Sequence, residues 1–326
     1  MSKQSYAFGV DIGGTSVKLG LFSMEKGLLE KWRIPSRTDG DSTAMLAEIA
    51  DSIHKGMAVR GLTHADVLGA GVGAPGPVDA QGVVHGCVNL SWGKVTLQGT
   101  LESLCGFSVR AENDANVAAL GEIWQGAAKG CESMVLITLG TGVGGAVILG
   151  GRLLKGAYGC AGEIGHIGVS PNETTPCSCG RRGCLEQYAS APGLVRLAKK
   201  AATDGVKMPV PAEQLTAENI FAAAQSGDAA ALLVIDRMAE TLGRALADIA
   251  VVCDPQVFVV GGGISKAGEL LRATIERHYR SVAFGDTVNT PIKIAALQND
   301  AGIWGAVSLL LNTSARPRSK MTDFWY

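Results

Sequence analysis

DIGGTSVKLGLF, residues 11–22, reads as a strand end, a glycine turn and a second strand, and TLGTGVGGAVIL, residues 138–149, lays over it with turns and return strands in register. Each half of the chain therefore opens on a strand, a glycine-rich turn and a return strand. Without a Cβ, such a turn lets a ligand approach backbone N–H groups closely, so two of them facing each other could grip a chain of phosphates. Either turn alone is as well explained by a plain hairpin, in a chain with 44 glycines. Only the in-register pair argues for more.

The surrounding pattern alternates strands and helices. Strands are expected at 6–12, 15–22, 28–34, 67–74, 107–112, 132–139 and 257–260, and in AVILGGRLL and PIKIAAL. Met45, Leu46, Ile49, Ile53 and Met57 recur at helical spacing, and further helices are expected in DANVAALGEIWQGA, at about 192–203, 216–225 and 228–252, after GGG, and in AGIWGAVSLLL. The duplicated hairpin is similar to the architecture of the actin, sugar kinase and heat-shock ATPase superfamily. That implies an α/β, ribonuclease H-like, actin-like ATPase fold of two domains with a cleft between. GTGVGG (140–145) and GVGAPG (71–76) both match G-x-G-x-x-G, but neither opens a helix as a dinucleotide fingerprint must, and no Walker A motif is present.

Composition bounds the function. A chain of 326 residues suggests two domains, and 47% hydrophobic residues supply a sizeable core. Lysine and arginine number 29 against 30 acids, which disfavours a nucleic-acid or anionic-membrane partner. The N-terminus shows no signal peptide and no apolar run spans a membrane, so a cytoplasmic setting is expected, where clustered cysteines favour metal over disulfide. The tail SARPRSKMTDFWY carries basic residues that could touch a partner, and reads more simply as an exposed terminus.

Three clusters carry chemistry. Asp11 precedes the Gly13-Gly14 turn, where a carboxylate could hold Mg²⁺ beside the phosphates of ATP or merely bond its own turn. In ENDAN, Asn113 or Asp114 is placed to cap a helix, while an ionised Asp114 suits a base aimed at an alcohol and Asn113 could bind a neighbouring hydroxyl. CSCGRRGC supplies Cys177, Cys179 and Cys184, three thiolates short of a tetrahedral shell, and His166 in GEIGHIG lies eleven residues before the first of them. Together they complete a closed Cys₃His set of the structural zinc type. Glu163 and Glu186 flank those ligands, so a bound metal would gather two carboxylates and an imidazole as acceptors for a polyol. Singly, each has a duller reading: a helix-start charge, a surface acid, a core histidine.

DIGGT, GAPGPVD, ENDAN, LGTGVGG, GEIGH, CSCGRRGCLE and VVGGGIS, in this order across nearly the whole chain, resemble the ROK family of bacterial sugar kinases and repressors, and the N-terminal half its ATP-dependent glucokinases. The resemblance implies Asp114 as catalytic base, with Gly73, Asn89, Asn113, Glu163, His166 and Glu186 at the sugar. His166, Cys177, Cys179 and Cys184 would hold zinc. Asp11, Gly13, Gly14, Thr15, Lys18, Gly140, Thr141 and Gly142 would surround the phosphates and Mg²⁺, and Gly261, Gly262 and Gly263 the nucleoside. It implies a small domain of residues 1–113 plus about 301–326, a large domain of 114–300, and a homodimer or homotetramer. The activity implied is phosphorylation of a hexose, glucose foremost, at its C6 hydroxyl; other hexoses and N-acetylhexosamines, a sugar-responsive repressor and a partner-moving ATPase are the alternatives. With ten residues before Asp11, the repressor's DNA-reading segment is not expected.

Overall fold

In the computed structural model, which describes residues 5–311 apart from the side chain of Val88, the opening motif is an antiparallel hairpin. The tail from Ser314 lies outside the described residues. Strand β1 (Tyr6–Ile12) pairs with β2 (Ser16–Ser23), Asp11 standing opposite Lys18, and β2 pairs with β3 (Gly27–Pro35). Helix α1 (Ser42–Val59) is capped by the Asp41 carboxylate, which accepts from the Ala44 N–H at 2.9 Å. It buries Met45, Leu46, Ile49, Ile53 and Met57, the stripe read from the sequence.

The chain returns as β4 (Val67–Ala74), parallel to β1, then makes a small hairpin, β5 (Val84–Cys87) and β6 (Trp92–Val95), and a helix α2 (Leu97–Cys105), none of which the periodicity announced. Strand β7 (Val109–Asn113) is parallel to β4 and leads directly into α3 (Asp114–Gln125). The expected strand at 107–112 thus begins two residues late; ahead of it the Ser108 carbonyl accepts from the Ala70 N–H at 3.0 Å, and the Phe107 ring stacks on Phe8, centroids 6.3 Å apart. The sheet order is β3-β2-β1-β4-β7.

Strand β8 (Met134–Leu139), β9 (Val143–Leu149) and β10 (Arg152–Leu153) form a second antiparallel set. Helices α4 (Glu186–Ala189), α5 (Ala191–Thr203), α6 (Ala217–Gln225) and α7 (Ala229–Cys253) follow, then β11 (Val257–Gly261), α8 (Glu269–Val282) and β12 (Ile292–Ile294). This sheet runs β10-β9-β8-β11-β12, repeating the first in order and in strand direction. The duplication read from two glycine turns is therefore a duplication of whole sheets. One compact unit takes the chain to Leu120 and again from Gly302, and the other is Gly121–Ala301. No helix among the described residues is long and apolar enough to cross a membrane.

The expected strand PIKIAAL stops at Ile294. After the Ala295 N–H bonds the Val260 carbonyl, the next two N–H groups turn to the wholly buried Glu122 carboxylate, Ala296 at 3.0 Å and Leu297 at 2.8 Å, with Ala127 adding a third at 2.7 Å. Three backbone donors satisfy a buried charge that would otherwise be costly.

The C-terminal helix, Ala301–Leu311, packs on the first sheet through a paired Gly9 and Gly71. A Cβ on Gly71 would lie 1.7 Å from the Ala306 carbonyl oxygen, and on Gly9 2.2 Å from that of Ile303. Gly71→Ala is therefore expected to lower stability by about 3 kcal/mol or more, through forced separation of helix and sheet. Gly99→Ala, where the new Cβ meets only Thr96 Cγ2 at 3.5 Å, should be neutral or slightly stabilising. Urea midpoints check both, and equal effects would remove close packing as the reason for Gly71.

Candidate functional site

Asp11 is the last residue but one of β1, Gly73 lies beside it in β4, and Asn113 ends β7, so the first unit presents its candidate residues at the carboxyl ends of three parallel strands. In open α/β sheets that is where ligands bind. The Gly13 N–H closes the turn on the Ser16 carbonyl at 3.1 Å, while Gly14 and Thr15 are exposed. Lys18 Nζ lies 2.9 Å from Asp11 Oδ2, so the proposed Mg²⁺ carboxylate is paired with a cation. Asn89, exposed in the turn Val88–Leu90, brings its Cβ within 3.7 Å of the space beside Gly14.

Asn113 is the cap of α3. Its Oδ1 accepts from the Ala115 N–H at 3.0 Å and the Asn116 N–H at 3.2 Å, while its Nδ2 donates to the Gly76 carbonyl at 3.1 Å and to Asp114 Oδ1 at 3.0 Å. The structural role read for ENDAN is therefore present: capping fixes Asn113, and Asn113 fixes Asp114. Gly73 lets α3 close on β4, since a Cβ there would strike Val117 Cγ2 at 2.5 Å. Glu112, 3% exposed, steadies the same turn by accepting from Asn113 N and Asn116 Nδ2. Nothing in the ENDAN motif by itself announced that role.

Burial pushes the Asp114 carboxyl up to about 6; the Asp11 charge adds to the rise, and bonds from the Ala115 N–H and Asn113 oppose it. A base must be ionised to accept a proton, so if Asp114 is the base that the resemblance implies, kcat/KM is expected to be flat above pH 7 and to fall about tenfold per unit well below pH 6. An unperturbed profile down to pH 4.5 would exclude Asp114 as the base.

The second unit carries the rest. Thr141 is exposed in the turn joining β8 to β9, the Gly140 N–H bonds the Gly142 carbonyl at 2.9 Å, and Gly261 ends the adjacent β11 opposite Thr138. Gly262, at φ 84°, lies against the Leu139 backbone, and open space surrounds Gly263. Glu163 is exposed and opens a single 3₁₀ turn, Ile164–His166, whose Gly165 backs directly onto the Val143 carbonyl.

His166, Cys177, Cys179 and Cys184 each offer a ligand atom within 4.8 Å of the others. Cys179 and Cys184 sulfurs are 3.7 Å apart, far beyond a disulfide and close to the roughly 3.8 Å edge of a tetrahedron with Zn–S bonds of about 2.3 Å. His166 turns Nδ1 toward Cys177 Sγ at 3.9 Å. The donor set fits a closed structural zinc shell. Backbone pairing shapes the loop without metal as well: Val169 N–H to Gly183 O at 2.7 Å, Cys177 N–H to Arg181 O at 2.7 Å, and Leu185 N–H to Ile167 O at 2.8 Å.

Glu186, half-buried at the start of α4, has both carboxylate oxygens engaged: Ser178 Oγ donates to Oε1 at 2.8 Å and the Val143 N–H to Oε2 at 3.0 Å. Beside it Gln187 accepts from the Cys184 N–H at 3.1 Å and donates to the Thr175 carbonyl at 3.0 Å. Arg196 of α5 bonds the Gln187 carbonyl at 3.0 Å and Glu173 at 2.6 Å, with its guanidinium 4.7 Å over the Tyr188 ring. Hydrogen bonds from Tyr188, Arg196 and the Thr175 N–H hold Glu173 down to about 2. This Ser178–Gln187–Glu173–Arg196 framework was not foreseen, since nothing local in the sequence ties those positions together.

The ROK family pattern matches residues 7–313. A glucokinase of Halalkalibacterium halodurans is 40% identical over 312 residues, 94% of this chain and 94% of that protein. One from Thermotoga maritima is 36% identical over 310 residues, covering 93% and 96%. The crystal structure of a ROK family glucokinase from Streptomyces griseus in complex with glucose and AMPPNP is similar over 93% of this chain and 98% of that one, with a TM-score of 0.74 and 35% identity. Two sheets repeated in order, a fitted Cys₃His set and these full-length likenesses agree: the chain belongs to the ROK family.

Proposed function

We propose that this protein is an ATP-dependent glucokinase, transferring the γ-phosphoryl group of ATP to the C6 hydroxyl of glucose. The observation that carries the chemistry is Asp114, a carboxylate fixed by Asn113 and the Ala115 N–H, whose burial raises it toward the operating range of a base. The full-length likeness to glucokinases supports the sugar. Asp114 takes the proton of the 6-hydroxyl as O6 bonds to the γ-phosphorus, and the bond from that phosphorus to the β,γ-bridging oxygen breaks to release ADP. Mg²⁺, when bound, neutralises charge on the phosphate oxygens, and Asp11 is its proposed carboxylate. The turns at Gly13–Thr15 and Gly140–Gly142 bind phosphates, Lys18 adds positive charge there, and Gly261–Gly263 back the nucleoside. Gly73, Asn89, Asn113, Glu163, His166 and Glu186 bind sugar hydroxyls.

The test is a panel of glucose, fructose, allose, N-acetylglucosamine and N-acetylmannosamine with ATP, ranked by kcat/KM. Glucose is expected first, with ADP release dependent on sugar. A higher rank for another sugar reassigns the substrate, and equal ADP release without sugar makes the protein an ATPase. The same reading carries a cytoplasmic setting, supported by eight unpaired cysteines, and a homodimer or homotetramer, which light scattering would measure. The near-balanced charge supports function without nucleic acid or membrane partners.

A further inference from the structure

The Glu186 carboxylate does more than face a sugar. Its Oε2 holds the Val143 N–H at 3.0 Å, the first amide after the Gly140–Gly142 turn, and fills the space a side chain on Gly142 would need, 2.4 Å from where a Cβ would stand. The other end of that turn is fastened to the same segment, the Ala191 N–H donating to the Gly140 carbonyl at 2.8 Å. At its far side the carboxylate rests on Ser178, between two of the cysteines, at 2.8 Å. A negative charge beside a turn meant for phosphates is unfavourable on Coulomb grounds alone. Its placement makes sense as geometry.

We propose that Glu186 is a positioning residue for the nucleotide: a strut between the cysteine loop and the Gly140–Gly142 turn that holds the turn in its phosphate-binding form. The proposal rests on the reading that this turn binds nucleotide phosphates. Electrostatics and bracing predict opposite signs. Removing the charge should tighten nucleotide binding if charge dominates and weaken it if the strut does.

The experiment is calorimetric titration of Mg²⁺–AMPPNP into the zinc-loaded protein without sugar. Glu186→Ala is expected to raise Kd about tenfold, the scale of a lost hydrogen bond to a charged group. Glu186→Gln should stay within about threefold, because its amide oxygen still accepts from Val143 and its NH₂ donates to Ser178 Oγ. Gly142→Ala is the second variant: alone it drives the carboxylate out and weakens binding about tenfold, which tests the strut even if Glu186→Ala fails to fold, and where Glu186→Ala does fold, adding Gly142→Ala to it costs less than about twofold. A Glu186→Ala Kd at or below wild type, a Gln variant as weak as Ala, or additive Gly142 and Glu186 effects would each overturn the strut. Thr141→Asp places a charge on the exposed turn; unchanged nucleotide affinity there would refute the phosphate reading itself, and the strut with it.

Discussion

Asp114→Asn is expected to lower kcat at least about 10²-fold while glucose affinity changes less than threefold, since a general base acts in the transition state and Asn keeps the oxygen that accepts from Asn113 and Ala115. Near-normal turnover would sink the assignment. The same substitution should stabilise the fold. With the carboxyl raised from 3.8 to about 6, its ionised form opposes folding above pH 6, by up to about 3 kcal/mol, and the cost disappears below pH 4, where both folded and unfolded chains bind the proton. Urea unfolding at pH 8 and pH 4 should therefore show Asn more stable at the first and level with wild type at the second. A variant that is slow, tight for sugar and more stable at pH 8 separates lost chemistry from lost structure.

The second large effect concerns the metal. Removing zinc by chelation, or one ligand by Cys184→Ser, is expected to expose the amides of residues 163–186 to rapid hydrogen exchange and to weaken glucose binding about 10²-fold or more. The reason lies in spacing: Glu163 precedes His166 by three residues and Glu186 follows Cys184 by two, so the ligands fix where both acids stand. Protein verified metal-free by mass spectrometry that keeps its glucose affinity would refute the shaping role. Loss of zinc with unchanged exchange would assign the order to the Glu173–Arg196–Gln187 framework instead.

What the sequence could convey was local. The paired glycine hairpins, the α1 stripe and the cysteine spacing all involve residues close along the chain, where period and turn chemistry speak directly. What it could not convey depends on partners far apart. The strand at Ile292 ends early because Ala296 and Leu297 find a carboxylate 174 and 175 positions away. Strands β5 and β6 have only four residues each, too short to show a period. Around the candidate site, Glu186 was visible beside the cysteines, but its tie to Val143, 43 positions earlier, was not. Ser178, between two thiols, carries no signal of its own in the sequence, and its 2.8 Å bond to Glu186 is what gives it a task.

The glycine contact between the first sheet and the C-terminal helix also sets an order of assembly. The second unit is one continuous stretch of chain, Gly121–Ala301, and has all its parts once that stretch has left the ribosome. The first unit is synthesised earlier yet waits longest, because the helix covering Gly9 and Gly71 is made last. Until then the face of the first sheet that carries Gly9 and Gly71 has no helix over it, while Phe8, Val10 and Val72 on the other face already pack with α1. The helix Ala301–Leu311 is thus a late step in the assembly of the first unit as well as a part of its finished form.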